Sequence, residues 1–176
     1  MEDLMRRSTM ILSVAIVLVM AVAAPASANS STRPFKGSVT GAVTFNPVGL
    51  EVCPASGTYF GGLRTDSMAN GNASHLGKVA MMSSHCTPAG DTIAGGGMTL
   101  VAANGDELYL QYEGTAPFPD ESTVVIVAML DFAITGGTGR FANASGSGDL
   151  IAYVDFEGFE DPSWAARWVW SGAIAY

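Results

Sequence analysis

The clearest structural signal in the chain lies at residues 98–113, which read MTLVAANGDELYLQYE. The dipeptide Asn104-Gly105 lies in the middle, and it suits the positive φ angles of a two-residue type I′ turn between antiparallel strands. This stretch therefore predicts a β-hairpin with one face towards a core and the other towards water. On its second arm, one face carries Leu108, Leu110 and Tyr112. The other face, which is expected to contact water, carries Tyr109, Gln111 and Glu113.

Further strand patterns occur on both sides of this hairpin. The run at residues 123–134 is rich in valine and isoleucine, so we expect a strand covered on both faces. Residues 46–72 are rich in Gly, Pro, Ser and Asn, which predicts long connections around one or two short strands near Tyr59. Short strands separated by turns predict a single all-β domain, either a sandwich or a small barrel. Further strands are predicted at residues 35–45, 74–84, 146–156 and 164–176.

Residues 1–28 have the organisation of a secretory signal peptide. Two arginines precede an apolar run at residues 10–24, and small residues follow it. This order predicts cleavage after Ala28. A membrane anchor is the alternative, but a spanning helix needs roughly 20 apolar residues and this run is shorter. We therefore expect a secreted or extracytoplasmic protein with no stable membrane span after cleavage, and a β-barrel domain at residues 29–176.

The composition argues against several partners and cofactors. The formal net charge is −8, from 16 acidic and 8 basic residues, and a surface of that sign repels phosphate backbones. Nucleic acid is therefore not an expected partner. Neither a second cysteine pair nor an HExxH helix accompanies the two histidines, so no metal site and no cofactor is expected.

Cys53 and Cys86 are the only cysteines. After export both would reach an oxidising compartment, where pairing is expected. A disulfide closing this loop would stabilise the fold by roughly 3 to 4 kcal/mol in the chain-entropy model. The alternative is a reactive thiol assisted by the neighbouring His85. We predict the disulfide.

A glycine-rich segment, ITGGTGRFANASGSG, occupies residues 134–148. A dinucleotide-binding turn is excluded, because that fold needs a helix-rich continuation and only a short strand-rich tail remains. Gly136, Gly137 and Gly139 can instead adopt backbone angles closed to other residues. We expect Phe141 to plug a barrel end and Arg140 to bond nearby carbonyls or carboxylates. The segment is therefore predicted to shape the fold rather than to form a site.

Together with GNASHLGKV at residues 71–79 and SGAIAY at residues 171–176, this segment resembles the bacterial secreted members of the allene oxide cyclase and dirigent-like superfamily. The most specific element is GGTGRF. The resemblance implies an eight-stranded antiparallel barrel in which the glycine-rich turn joins neighbouring strands. It also implies activities such as epoxide cyclisation, steering of radical coupling and other ring-forming reactions on apolar substrates held inside the barrel. None of the family's catalytic residues falls on a motif matched here.

Two residues are candidates for catalysis and three for ligand binding. Asp131 interrupts the apolar run and could act as a buried base, or it could face solvent. His75 and His85 are the only histidines, and one of them could act as a general acid or base, although His75 could instead order a strand end. Tyr112, Trp168 and Trp170 could line an apolar ligand cavity, although large aromatic residues also fill barrel cores.

Two functions follow from these features. The first is a secreted, non-catalytic β-barrel that binds a small apolar molecule or serves as a structural component. The alternative is a cyclase or isomerase that holds an apolar substrate inside the barrel and needs few catalytic groups. A ligand-sized pocket with a buried ionisable residue would favour the enzyme, whereas a filled interior would favour a structural role. The sequence leaves the oligomeric state undetermined.

Overall fold

The computed structural model describes residues 31–56, 59–120, 122–158 and 160–176, so the predicted signal peptide lies outside the described residues. Eight strands follow one another around a single closed barrel, and each is antiparallel to its neighbours. The predicted all-β, eight-stranded antiparallel barrel is confirmed. The strands are β1 (Arg33–Pro47), β2 (Tyr59–Ala73), β3 (Gly77–Pro88), β4 (Thr92–Ala102), β5 (Glu107–Thr115), β6 (Val125–Gly137), β7 (Ser145–Asp155) and β8 (Ser163–Ala175).

Strand β6 shows how the interior is built. Its side chains alternate between the barrel interior and the outer surface. The expectation that this run is covered on both faces was wrong, because Met129 is 65% exposed and Val125 is 43% exposed. A barrel wall is a single sheet, so outward valines here fit the strand conformation without being buried. The inward side chains are Ile126, Ala128, Leu130, Phe132 and Ile134.

The hairpin at residues 98–113 is confirmed as part of β4 and β5, but its turn differs from the prediction. The amide of Gly105 donates to the carbonyl of Ala102, and the amide of Ala102 donates to the carbonyl of Asp106. Gly105 has a φ of 86°, while Asn104 does not have a positive φ. The type I′ prediction was therefore wrong. The loop is a type I turn followed by a left-handed glycine, which needs only one positive φ angle.

We call the end of the barrel around the first residues of β1 and the last residues of β8 the closed half. Its interior is filled by Phe35, Phe132, Phe141, Trp170 and Ile174, all at most 3% exposed. The ring of Phe35 lies 6.0 Å from that of Phe132 and 6.1 Å from that of Trp170. Large aromatic side chains therefore leave little free space at this end.

The glycine-rich turn between β6 and β7 seals the closed half. Gly136 (φ 137°) and Gly139 (φ 54°) adopt angles that side chains disfavour, and Gly139 begins a 3₁₀ turn, Gly139–Phe141. This turn directs the fully buried ring of Phe141 inward, 5.0 Å from the ring of Tyr176. The turn therefore acts as a plug for one end of the barrel.

Candidate functional site

The other half of the barrel encloses a cavity of about 440 Å³. We call this end the open half; the connections between β1 and β2, β3 and β4, β5 and β6, and β7 and β8 surround it. The cavity extends inward as far as Met98, Leu130, Leu150 and Trp168. Its volume falls within the range of about 300–1,000 Å³ that is typical of small-molecule sites.

One wall of the cavity is apolar. It is formed by β1, β6, β7 and β8, and on β6 the inward side chains become smaller, from Phe132 in the closed half to Ala128 in the open half. Ala128 and Ala152 are paired directly across β6 and β7. Because both side chains are short, they leave free space between this part of the wall and the barrel axis. The side chains of this wall are Val43, Phe45, Ile126, Ala128, Leu130, Leu150, Ala152, Val154, Trp164 and Trp168.

The opposite wall is polar. On β3 the inward positions change from Val79 and Met81 in the closed half to Ser83, His85 and Thr87 in the open half. The register places Thr65 of β2 beside His85 and Ser67 beside Ser83, so both strands present polar groups at the same depth. The hydroxyls of Thr65 and Thr87 are hydrogen-bonded at 2.8 Å. These groups therefore form a continuous polar stripe facing an apolar wall.

A hydrogen-bonded pair, His85 and Tyr112, lies on this polar wall. Nδ1 of His85 is 2.9 Å from the hydroxyl of Tyr112, and the two rings meet edge to face at 5.8 Å. Tyr112 packs over Gly96, where a Cβ atom would lie 2.3 Å from the tyrosine ring. Gly96 therefore gives Tyr112 the room to reach His85.

Burial keeps both members of this pair uncharged at neutral pH. Desolvation lowers the pKa of His85 to about 4, although the negative charge of Asp66 partly opposes that shift. Desolvation also raises the pKa of Tyr112 to about 12, with an opposing contribution from Ser83 and a further increase from Asp66. The cavity therefore contains a neutral imidazole and a neutral phenol in direct contact.

The mouth of the cavity combines aromatic and acidic side chains. Phe60 and Phe118 are 43% and 48% exposed, and their ring centroids lie 6.1 Å apart. Glu160 and Asp161 also line this opening. Among the described lining residues these two acids are the only ones with a formal charge at neutral pH. An entering ligand would therefore pass apolar rings and negative charges.

The predicted disulfide between Cys53 and Cys86 is confirmed, with the two Cα atoms 5.5 Å apart. It attaches the β1–β2 connection to β3, and Cys53 is fully buried. The alternative of a reactive thiol beside His85 was wrong, because both sulfur atoms are used in the bond.

Three of the five candidate residues lie away from the cavity. Asp131 is exposed on the outer face of β6, opposite Glu113 and Asp149 on the neighbouring strands. The interior hypothesis for Asp131 was therefore wrong, since Leu130 and Phe132 take the inward positions. Tyr112 and Trp168 do line the cavity.

Trp170 is 2% exposed and lies in the closed half, outside the cavity lining. Its position is set by the alternation of β8, where it points inward like Trp168 but two residues farther along the strand. At that depth it packs against Phe35. Its indole nitrogen has no hydrogen-bond partner among the described residues.

His75 lies in the turn between β2 and β3 at the closed half, where its φ is 69°. Its Nε2 atom is 2.8 Å from the carbonyl of Pro34, and its own carbonyl accepts a hydrogen bond from the guanidinium of Arg140. The same guanidinium lies 3.8 Å from the carboxylate of Asp106. His75 therefore ties the β2–β3 turn to β1 and to the glycine-rich turn, far from the cavity.

The sequence indicated His85 as a possible general acid or base, but not as a cavity residue. The available signal was the alternation Val79, Met81, Ser83, His85 on β3, which continues one face from apolar to polar positions. That face could be identified from the sequence, but its proximity to Tyr112 of β5 depends on the barrel.

Comparisons with protein-family models, curated proteins and solved structures returned no match to this chain. Within the described residues, no helix is long and apolar enough to cross a membrane. The described ranges also contain no group of three or more His, Cys, Asp or Glu side chains placed to hold a metal ion.

Proposed function

We propose that this barrel is a binding protein whose cavity holds a small, largely apolar molecule. The observation that carries the proposal is the preformed cavity of about 440 Å³, with an apolar wall on one side and a polar stripe on the other. Removing a ligand's methylene group from water contributes about 0.8 kcal/mol, so the apolar wall would supply most of the affinity. The few polar groups would fix the orientation of the ligand.

Filling the cavity tests this function directly. Ala128 faces the cavity, whereas Ala133 is exposed on the outer face of the same strand. We expect Ala128→Phe to weaken binding of the neutral dye N-phenyl-1-naphthylamine at least about tenfold because the added ring occupies the site, while Ala133→Phe leaves it unchanged. Fluorescence titration gives the affinities, and near-ultraviolet circular dichroism verifies the fold.

Ala152→Phe, which fills the same cavity from β7, is a second variant in case Ala128→Phe does not fold. Native mass spectrometry of the purified protein adds an independent measurement, a retained small molecule. Absence of dye binding by the folded wild-type protein, together with no retained molecule, would count against the proposal.

A cyclase or isomerase is the second candidate function, favoured by the buried His85–Tyr112 pair. An imidazole hydrogen-bonded to a phenol on the wall of a largely apolar cavity can move a proton to or from a bound substrate. Incubation of a retained compound with wild-type protein and with His85→Gln tests this. Conversion by the wild type alone would support catalysis, and an unchanged compound would leave the binding function.

We also propose that the chain is a secreted relative of the allene oxide cyclase and dirigent-like barrels. The GGTGRF turn joins β6 to β7, as that resemblance implies, and a disulfide suits an oxidising compartment. The mass of the protein recovered from the culture medium of its host tests the export proposal. Cleavage after Ala28 would leave a chain that begins at Asn29.

A further inference from the structure

We infer that the cavity selects an uncharged ligand whose hydroxyl or carbonyl group bonds to His85 and Tyr112, and that it discriminates against carboxylates. The inference rests on the proposed binding function and specifies the ligand class. It depends on the distribution of charge around the cavity and on the hydrogen-bonding capacity of the pair.

No described cation is placed to neutralise a bound anion. Arg64 forms an ion pair with Asp66, at 2.8 Å, and Arg167 stacks over the ring of Tyr153. Neither side chain lines the cavity. An ionised carboxylate beside His85 would therefore lose its hydration without gaining a counter-ion, which is strongly unfavourable. The other described basic residues lie towards the closed half: Arg33, Lys36, Lys78 and Arg140.

The open half adds repulsion of anions. Glu160 and Asp161 line the mouth itself. A negative field at a cavity entrance lowers the local concentration of anionic ligands and slows their entry. Further described acids in the connections and strand ends at this half are Glu51, Asp91, Asp120, Asp155 and Glu157.

The pair can complement one neutral polar group. A neutral imidazole carries one proton, so one ring nitrogen donates and the other accepts. Nδ1 is engaged with the Tyr112 hydroxyl, and Nε2 is the remaining polar atom of the ring. When Tyr112 donates to Nδ1, Nε2 carries the proton and can donate to a ligand carbonyl. With the other tautomer, Nε2 can accept from a ligand hydroxyl.

A cationic group fits this position less well than a neutral one. An ammonium needs an acceptor and a negative partner when it leaves water, and the acids that line the cavity lie at its mouth. At the depth of His85, the described lining offers only hydroxyls, the imidazole and apolar groups. An uncharged ligand therefore loses the least hydration free energy when it enters the cavity.

A series on one apolar skeleton tests the inference: 2-naphthylmethanol, 2-naphthoate, 2-naphthylmethylammonium and 2-methylnaphthalene. Isothermal titration calorimetry at neutral pH measures the four affinities. We expect the alcohol to bind at least about tenfold more tightly than either ion, because only the ions must bury an unpaired charge. We also expect it to bind several-fold more tightly than the hydrocarbon.

Two tyrosine variants locate the polar contact. Tyr112→Phe removes the cavity hydroxyl, whereas Tyr109→Phe removes one from the outer face of the same strand, where it donates to Glu107. We expect His85→Phe to abolish most of the alcohol's advantage over the hydrocarbon, Tyr112→Phe to reduce it, and Tyr109→Phe to preserve it. An advantage that survives both Tyr112→Phe and His85→Phe would overturn the assignment to this pair.

The series separates failure of this inference from failure of the binding function. Equal or tighter binding of naphthoate or of the ammonium, relative to the alcohol, would overturn the selectivity while the cavity remained a binding site. If none of the four compounds bound the folded protein, the proposed function itself would be contradicted.

Discussion

The closed and open halves of the barrel share the same eight strands and the same alternation, yet one is filled and the other is hollow. In the closed half large aromatic side chains fill the interior, with the ring of Phe35 packed against those of Phe132 and Trp170. In the open half several inward positions are alanine, serine or threonine. The comparison shows that, on one backbone plan, the size of the inward side chains decides which half of this barrel contains a cavity.

The largest expected difference between the halves is in stability. Phe141→Ala removes a fully buried plug from the closed half and should lower the free energy of unfolding by about 3–5 kcal/mol. Phe118→Ala at the mouth removes a ring that is 48% exposed and should cost about 1 kcal/mol or less. Guanidinium unfolding measures both. Similar losses in the free energy of unfolding for the two variants would contradict the proposed difference between the closed and open halves.

The open half relies on a covalent link where the closed half relies on packing. Replacing Cys53 and Cys86 together with alanine should lower the free energy of unfolding by about 3–4 kcal/mol, given their separation of 33 residues. The comparison is between the double variant and the oxidised wild type in urea. A loss below about 1 kcal/mol would show that packing alone holds the β1–β2 connection.

The pH dependence of stability should arise partly from the open half. The pKa of His85 is about 4 in the folded protein, against about 6.5 when unfolded, so the unfolded state binds more protons between these values. The contribution of His85 is complete above about pH 6.5 and declines by roughly 3 kcal/mol as the pH falls to about 4.

His85→Gln, which cannot titrate, isolates this contribution. The other titrating groups are present in both proteins, so the difference between the two unfolding curves reports on His85 and its interaction with Asp66. We expect the stability of the variant to fall less than that of the wild type over this interval. Parallel curves would contradict the burial of His85 as a neutral imidazole.

The smallest effect is expected on the outer face. Asp131→Asn should change stability by less than about 0.5 kcal/mol and leave ligand affinity unaltered, because Asp131 is exposed and outside the cavity. Calorimetric titration with 2-naphthylmethanol and thermal unfolding measure both quantities. A marked loss of ligand affinity would show that Asp131 contributes to binding.

Several features were predictable because they are local. Alternation along residues 98–113 and the β-branched apolar run at residues 123–134 predicted strands, and the presence of only two cysteines in an exported chain predicted the disulfide. The hairpin was also predictable, but its turn type was not, since Asn-Gly fits both a type I′ turn and a type I turn followed by a left-handed glycine. Alternation likewise grouped Asp131 with Val125 and Met129, but it could not tell which face of β6 was inside.

The amino-acid sequence by itself determined the all-β class, the hairpin and the side chains that share each strand face, because these depend on a period of two within one strand. Only the tertiary structure decided where the interior is empty. Free volume at one depth is the space left by side chains from all eight strands, and it depends on their register around the closed barrel. His85 and Tyr112, 27 residues apart in the chain, meet only because that register brings β3 and β5 to the same depth.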